Sequence, residues 1–274
     1  GAQALHIHKM NRDATARLIS ERNIVPQKSK GQNFLIDDRV AARHVGFASI
    51  EPDDGVLEVG PGFGILTKML IGTGCSVTAI ELDEKLADHV EERFGGSLRL
   101  IRGDALSVEF PKFNRFVSNL PYSISTPIIF KLLGYDFKKA VVMVQKEFAE
   151  RMVARRGEVD YSRLTVNVYY RAECRILETV PASRFKPRPK VDSALVEIIP
   201  RPAPFTVLNE ELFFKIVDAG FIHRRKKIRS ALRAEGISIP EGTEIPFLDD
   251  RMEILSPEDI GRLSDAVHEW QRYN

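Results

Sequence analysis

The sequence predicts an α/β protein: a parallel, Rossmann-like sheet with helices on both faces, followed by a small helical domain. Three observations carry this. Between residues 54 and 144, short β-branched runs alternate with longer amphipathic segments, as in strands that return to one sheet through helices. A glycine-rich loop, Glu58-Val59-Gly60-Pro61-Gly62-Phe63-Gly64, joins the first run to the first of those segments. After Pro200, Pro202 and Pro204 the alternation stops and helical periodicity takes over.

Taken in order, residues 56–59, 76–80, 98–101, 115–118 and 140–144 read as strands, with helices at 66–71, 84–94 and 126–133. Residues 174–180 and 194–199 are apolar runs on either side of a proline-rich loop, and read as two more strands in a hairpin-like unit. Helical periodicity covers 210–220, 225–234 and 257–270, the last opened by Ser256-Pro257-Glu258-Asp259, an N-cap with proline at the first helical position. The expected division is a sheet domain over 10–200 and a small helical domain over 201–274. Residues 1–9 precede Met10 and are read as an appended stretch outside the fold.

Composition narrows the class. Of 274 residues, 43% are hydrophobic and 28% charged, which suits a globular protein with a real core. Apolar runs such as 140–144 are too short to span a bilayer, and no secretory leader is read, so no membrane partner is expected. Cys75 and Cys174 lie in apolar stretches without CxxC spacing, which reads as buried thiols in a reducing cytoplasm and excludes a disulfide framework or zinc site. The net charge of +2 is uninformative, but its distribution is not. Arg224, Arg225, Lys226, Lys227, Arg229 and Arg233 follow one another without an intervening acid, and Arg184, Lys186, Arg188 and Lys190 alternate with Phe and Pro. Arg151, Arg155, Arg156 and Arg163 form a third group. Together they point to a polyanionic partner.

The chemistry-bearing residues fall at the carboxyl ends of the predicted strands, where open parallel sheets bind ligands. Gly60 and Gly62 let the backbone turn tightly and approach a ligand closely. Glu81, twenty-one positions after Gly60, ends the second strand, where a carboxylate can accept hydrogen bonds from both hydroxyls of a ribose. The nicotinamide fingerprint G-x-G-x-x-G would need glycine where Ile65 stands. The E-x-G-x-G-x-G arrangement instead suits S-adenosylmethionine, which brings no pyrophosphate to the helix. Asp104 follows the third strand, where it can accept a proton from the cofactor's adenine amine.

Asn119-Leu120-Pro121-Tyr122 follows the fourth strand. An adenine amine is a poor nucleophile because its lone pair is delocalised into the ring. The Asn119 oxygen and the Leu120 carbonyl are suited to accept both amine hydrogens and favour a pyramidal nitrogen. Pro121 stiffens the turn, and Tyr122 offers a face on which a flipped base can stack. Phe185, in Phe185-Lys186-Pro187-Arg188-Pro189-Lys190, is the candidate for a second wall.

With these motifs in this order, the chain closely resembles the small-subunit rRNA adenine N(6)-dimethyltransferase family. Further matching stretches are Gly31-Gln32-Asn33-Phe34-Leu35, Gln145-Lys146-Glu147, Arg151-Met152-Val153-Ala154, Tyr161-Ser162-Arg163-Leu164 and Phe185 to Ala194. The resemblance implies a class I S-adenosylmethionine-dependent methyltransferase that dimethylates two adjacent adenosines near the 3′ end of small-subunit rRNA. It implies cofactor contacts from Asn33, Leu35, Gly60, Glu81, Asp104 and Asn119, and an adenine pocket from Asn119 to Tyr122 with Phe185. Relatives that modify large-subunit rRNA tend to have isoleucine in place of Leu120 and lack the stretch from Tyr161 to Leu164, so this chain sides with the small-subunit branch. Ser162 departs from the family, where glycine is usual, which puts the local backbone there in question. A monomer in the cytoplasm, acting on rRNA within a pre-ribosomal small subunit, is the expected setting.

Overall fold

The computed structural model describes residues 12–26 and 32–274; the expected appendage at 1–9 and the motif residue Gly31 lie outside them. The chain forms two compact units. The first runs to Ala149 and resumes over Arg175–Pro200; the second takes Glu150–Cys174 and Arg201–Asn274.

In the first unit, every strand and helix expected between residues 54 and 144 forms, within a residue at either end: β2 (Gly55–Val59), α3 (Ile65–Gly72), β3 (Ser76–Glu81), α4 (Glu84–Phe94), β4 (Arg99–Arg102), β5 (Arg115–Asn119), α5 (Ser125–Leu132) and β6 (Lys139–Gln145). They are preceded by α1 (Arg12–Glu21), a two-residue β1 (Phe34–Leu35) and α2 (Asp38–Phe47), and α6 (Lys146–Val153) follows β6. The sheet closes with β7 (Ala172–Val180) and β9 (Ser193–Pro200), and its order is β4-β3-β2-β5-β6-β9-β7. β2 through β6 pair in parallel, while β9 runs antiparallel to β6. The two late apolar runs are therefore neighbours, as expected, with β9 between β6 and β7. Inside their proline-rich loop lies β8 (Phe185–Lys186), which pairs with β1.

Local chemistry sets the ends of these elements. Asp37 caps α2 through the N–H groups of Arg39 and Val40, and Asp83 caps α4 through those of Lys85 and Leu86. The central strand β6 is apolar and buried from Ala140 to Val144, and β2 is buried from Val56 to Val59, as covering on both faces requires. Strand order reverses at β2, whose successor β3 lies on one side and β5 on the other. Gly60 and Asn119 end up on either side of that switch point, where a crevice opens in such sheets.

In the second unit, α7 (Arg163–Arg171), α8 (Glu210–Ile222), α9 (Ile228–Ala234) and α10 (Pro257–Tyr273) pack together. This corrects the expected boundary. Pro200 does end the sheet, but residues 150–174 belong with the helices, because Tyr161, Val166 and Tyr170 sit in one apolar cluster with Phe213, Leu232 and Leu263. Tyr161 donates its hydroxyl to the Leu255 carbonyl at 2.8 Å, and Tyr170 to Glu210 at 2.7 Å. Ser162 precedes α7 with φ −150°, extended backbone that needs no glycine, and its N–H donates to the Thr165 hydroxyl at 3.0 Å. Cys75 is buried as expected, whereas Cys174 is only half-buried.

Candidate active site

The site grows from the ends of β2, β3, β4 and β5. Beyond β2 the backbone turns through Gly60, Gly62 and Gly64, all with positive φ. A Cβ on Gly60 would stand 3.3 Å from the Pro121 ring, and one on Gly64 would stand 2.3 Å from the Phe94 ring. Glycine thus provides both the left-handed turn and the close approach of two strand ends. The Phe34 ring, under Gly62, packs on Phe63 with ring centroids 4.5 Å apart.

Glu81, at the end of β3, is buried beneath this loop. One carboxylate oxygen accepts the Gly62 N–H at 3.2 Å and the other the Asp83 N–H at 3.0 Å. Burial pushes its pKa up to about 7, against the pull of those N–H groups. Each oxygen keeps a further lone pair, so the carboxylate can still accept a pair of ribose hydroxyls. Asp104 follows β4 and opens a short turn, its side chain accepting the Leu106 N–H at 2.9 Å.

At the end of β5, Asn119 is half-buried and Leu120 fully buried, the latter donating its N–H to the Met143 carbonyl at 3.1 Å. Pro121 starts a single 3-10 turn over Tyr122–Ile124. The Tyr122 hydroxyl meets the Ser193 hydroxyl at 2.5 Å, which ties the ring to the start of β9.

These residues line one cleft with two adjoining lobes, of about 660 and 720 Å³ of empty space. Asn33, Leu35, Gly60, Gly62, Glu81 and Asn119–Tyr122 line the first; Asp104 lines the second with Glu81, Gly60 and Pro121. The fold therefore gathers every expected cofactor residue. Gln32, Phe63 and Glu58 also line the cleft and were not expected. Glu58 was legible as the first residue of the glycine motif and one turn of strand before Gly60. It is buried, accepts the Thr67 hydroxyl at 2.7 Å, and has its pKa pushed up by burial to about 8. Gln32 lies in the matching stretch before Asn33, but the resemblance gives it no role.

Phe185 corrects the expected second wall. It lies in β8 opposite Leu35, is fully buried in the apolar core, and presents no face to the cleft. Side chains alternate across a strand, and here the alternation sends Phe185 inward and Lys186 toward the surface.

The basic groups also divide. Arg184 pairs with Asp37 at 3.0 Å, Arg224 with Glu253 at 2.9 Å, and Arg229 donates to the Pro240 carbonyl at 2.8 Å. Arg188, Lys190, Arg225, Lys226 and Lys227 are exposed, and Lys186 is half-buried. Residues 224–227 form the turn before α9 rather than part of a helix, which corrects the helical start expected at 225.

Residues 26–256 match the sequence profile of a family described as "Ribosomal RNA adenine dimethylase". The chain belongs to this family. Similar proteins bear this out over nearly the whole length. The chain is 44% identical over 246 residues to "Probable ribosomal RNA small subunit methyltransferase A" of Methanosarcina acetivorans, covering 86% of this chain and 91% of that one. The Pyrococcus furiosus protein of the same name is 42% identical over 269 residues, 93% of this chain and 97% of its own. Among solved structures, a dimethyladenosine transferase from Plasmodium falciparum superposes with a TM-score of 0.73 at 30% identity, over 87% of this chain and 98% of that one. The 23S rRNA methyltransferase ErmE superposes with a TM-score of 0.65 at 29% identity, over 86% of this chain and 100% of that one. The sheet is thus that of the class I methyltransferases, and the rRNA adenine dimethylases draw their methyl groups from S-adenosylmethionine. The cleft fits that molecule: glycines where a Cβ would intrude, a buried carboxylate with acceptor capacity for a ribose, and Asp104 with an oxygen left for an amine.

Proposed function

We propose that this chain methylates the exocyclic amine of two adjacent adenosines near the 3′ end of small-subunit rRNA, adding two methyl groups to each. The observation that carries the reading is the meeting of Gly60 with Pro121 across the switch point, which sets Asn119–Tyr122 into the wall of the cleft lined by Glu81. S-adenosylmethionine, when bound, supplies an electrophilic methyl group on a sulfonium. Glu81 and Asp104 hold its ribose and adenine, and Asn33 and Leu35 close the first lobe.

For the target amine, the Asn119 side-chain oxygen and the Leu120 carbonyl accept its two hydrogens. The nitrogen lone pair would then be drawn out of conjugation with the ring, which makes the amine a better nucleophile. No strong base is needed, because the methylated amine is acidic and its proton passes to water. The rate gain comes from orientation and fixed dipoles. Tyr122 stacks on the base, and its bond to Ser193 fixes the ring plane. Flipping a base costs a few kcal/mol and one aromatic face returns about 1–3 kcal/mol. With Phe185 buried, the rest of that cost falls to contacts on the RNA backbone. Arg188, Lys190, Arg225, Lys226 and Lys227 are the exposed cations we assign to it, with Lys186 beside them. Arg184, Arg224 and Arg229, held by partners within the chain, shape those surfaces.

The small-subunit branch is favoured by the names of the archaeal relatives and by Leu120 with the Tyr161–Leu164 stretch. The likeness to ErmE supports large-subunit rRNA as the second reading. Our reading includes action by a single chain, in the cytoplasm, on a pre-ribosomal small subunit. No helix among the described residues is long and apolar enough to cross a membrane. Labelled methyl transfer to unmethylated small subunits, large subunits and naked rRNA, with the modified bases mapped, separates the two readings.

A further inference from the structure

Lys131 lies in the last turn of α5, the helix that starts directly after Tyr122–Ile124. Its ammonium donates to the carbonyls of Ala105 at 2.8 Å, Leu106 at 3.3 Å and Val108, and sits 4.4 Å from the centroid of the Phe110 ring. Those carbonyls close the turn that Asp104 opens. Its side chain takes the Leu106 N–H at 2.9 Å, and its carbonyl takes the N–H groups of Ser107 and Val108, each at 2.9 Å. The turn is thus held like a miniature helix, with a carboxylate at the N–H end and a cation at the carbonyl end. Its other tether is the Gly103 N–H, which donates to the Glu81 carbonyl at 2.9 Å.

We infer that Lys131 is a positioning residue that sets the selectivity of the cofactor site for adenine, by fixing the Asp104 turn against the helix that follows the target-amine site. The inference rests on the reading of the second lobe as the site of the cofactor's adenine. An ammonium with all three protons committed to one short turn holds it far more firmly than water would, since bonds to charged donors are the stronger ones. Asp104 would recognise the base by accepting a hydrogen bond from its amine, so a turn that shifts loses adenine selectivity before it loses ribose contacts at Glu81. Lys131 touches neither reactant.

The test titrates S-adenosylhomocysteine and its deaminated counterpart, S-inosylhomocysteine, into the wild type, Lys131→Met, Lys131→Gln and Asp104→Ala, with thermal melts of each. We expect the wild type to prefer the adenine form and Asp104→Ala to lose that preference. Lys131→Met should raise the Kd for S-adenosylhomocysteine roughly tenfold and leave that for the inosine form within about twofold. Lys131→Gln, which keeps a neutral donor, should fall between. With saturating cofactor, kcat and the KM for RNA should stay within about twofold of wild type. If Asp104→Ala keeps the preference, the reading of the lobe fails. If Asp104→Ala loses it while the folded Lys131 variants keep it, or weaken both ligands equally, the role of Lys131 is overturned.

Discussion

Asn119 stands where β5 meets the cleft, two residues before the proline whose ring a Cβ at position 60 would approach to 3.3 Å. On the proposal that its oxygen orients the amine, Asn119→Ala should lower single-turnover methyl transfer by about 10²–10³ while leaving RNA affinity unchanged in filter binding. Transfer near the wild-type rate would remove Asn119 from the chemistry. The Tyr122 hydroxyl bonds the Ser193 hydroxyl, and burial raises its pKa, so it stays protonated and serves as a tether. Glu81 carries a pH signature. Its pKa near 7 in the free protein means that a proton sits on the carboxylate below that pH and competes with the ribose hydroxyls. Cofactor affinity should therefore weaken as pH falls through about 7, and Glu81→Gln should bind weakly with a flat profile. Titration of S-adenosylhomocysteine across that range checks it. A flat wild-type profile would contradict the role of Glu81.

Among elements, the strands that carry the site also carry a stability cost. Glu58 is buried with a pKa of about 8, and Glu81 with one of about 7. Both hold a proton in the folded chain at pH values where the unfolded chain has released it. Unfolding therefore releases protons, and stability falls as pH rises from about 5 to 8. Glu58→Gln, which can still accept the Thr67 hydroxyl, should melt with the wild type near pH 5 and above it near pH 9. Equal Tm values at both would show that Glu58 is not protonated in the fold. The turn over residues 224–227 presents three exposed cations, so replacing Arg225, Lys226 and Lys227 with alanine should flatten the salt dependence of RNA binding by about two to three in log–log slope. The alternation from β2 to β6 was legible because it depends on local periodicity and glycine turns. β1 and β8 were not, since two-residue strands have no period and form only through each other. Phe185 was misread for the same reason: a motif shows that a residue is needed, whereas its burial depends on a partner strand far away in sequence. Residues 150–174 carry helical and apolar patterns that suit either unit, and only packing around Tyr161 and Tyr170 decides between them.

At the scale of the whole molecule, the cleft belongs to the sheet unit and the basic turn over residues 224–227 to the helical unit. The parts of the cleft come from the ends of four parallel strands and from residues 32–35, which explains why sequence motifs scattered from Asn33 to Asn119 converge. The basic residues differ in setting: Arg184, Arg224 and Arg229 are held by carboxylates or carbonyls within the chain, whereas Arg188, Lys190, Arg225 and Lys226 are exposed, as is Lys227 within 3.8 Å of Asp249. The most direct test of the whole account is to supply labelled S-adenosylmethionine with unmethylated small subunits, large subunits and naked rRNA, then map the modified bases. The account predicts dimethylated adenines at two adjacent positions near the 3′ end of the small-subunit rRNA. Label confined to large-subunit rRNA, or on a base other than adenine, would contradict it.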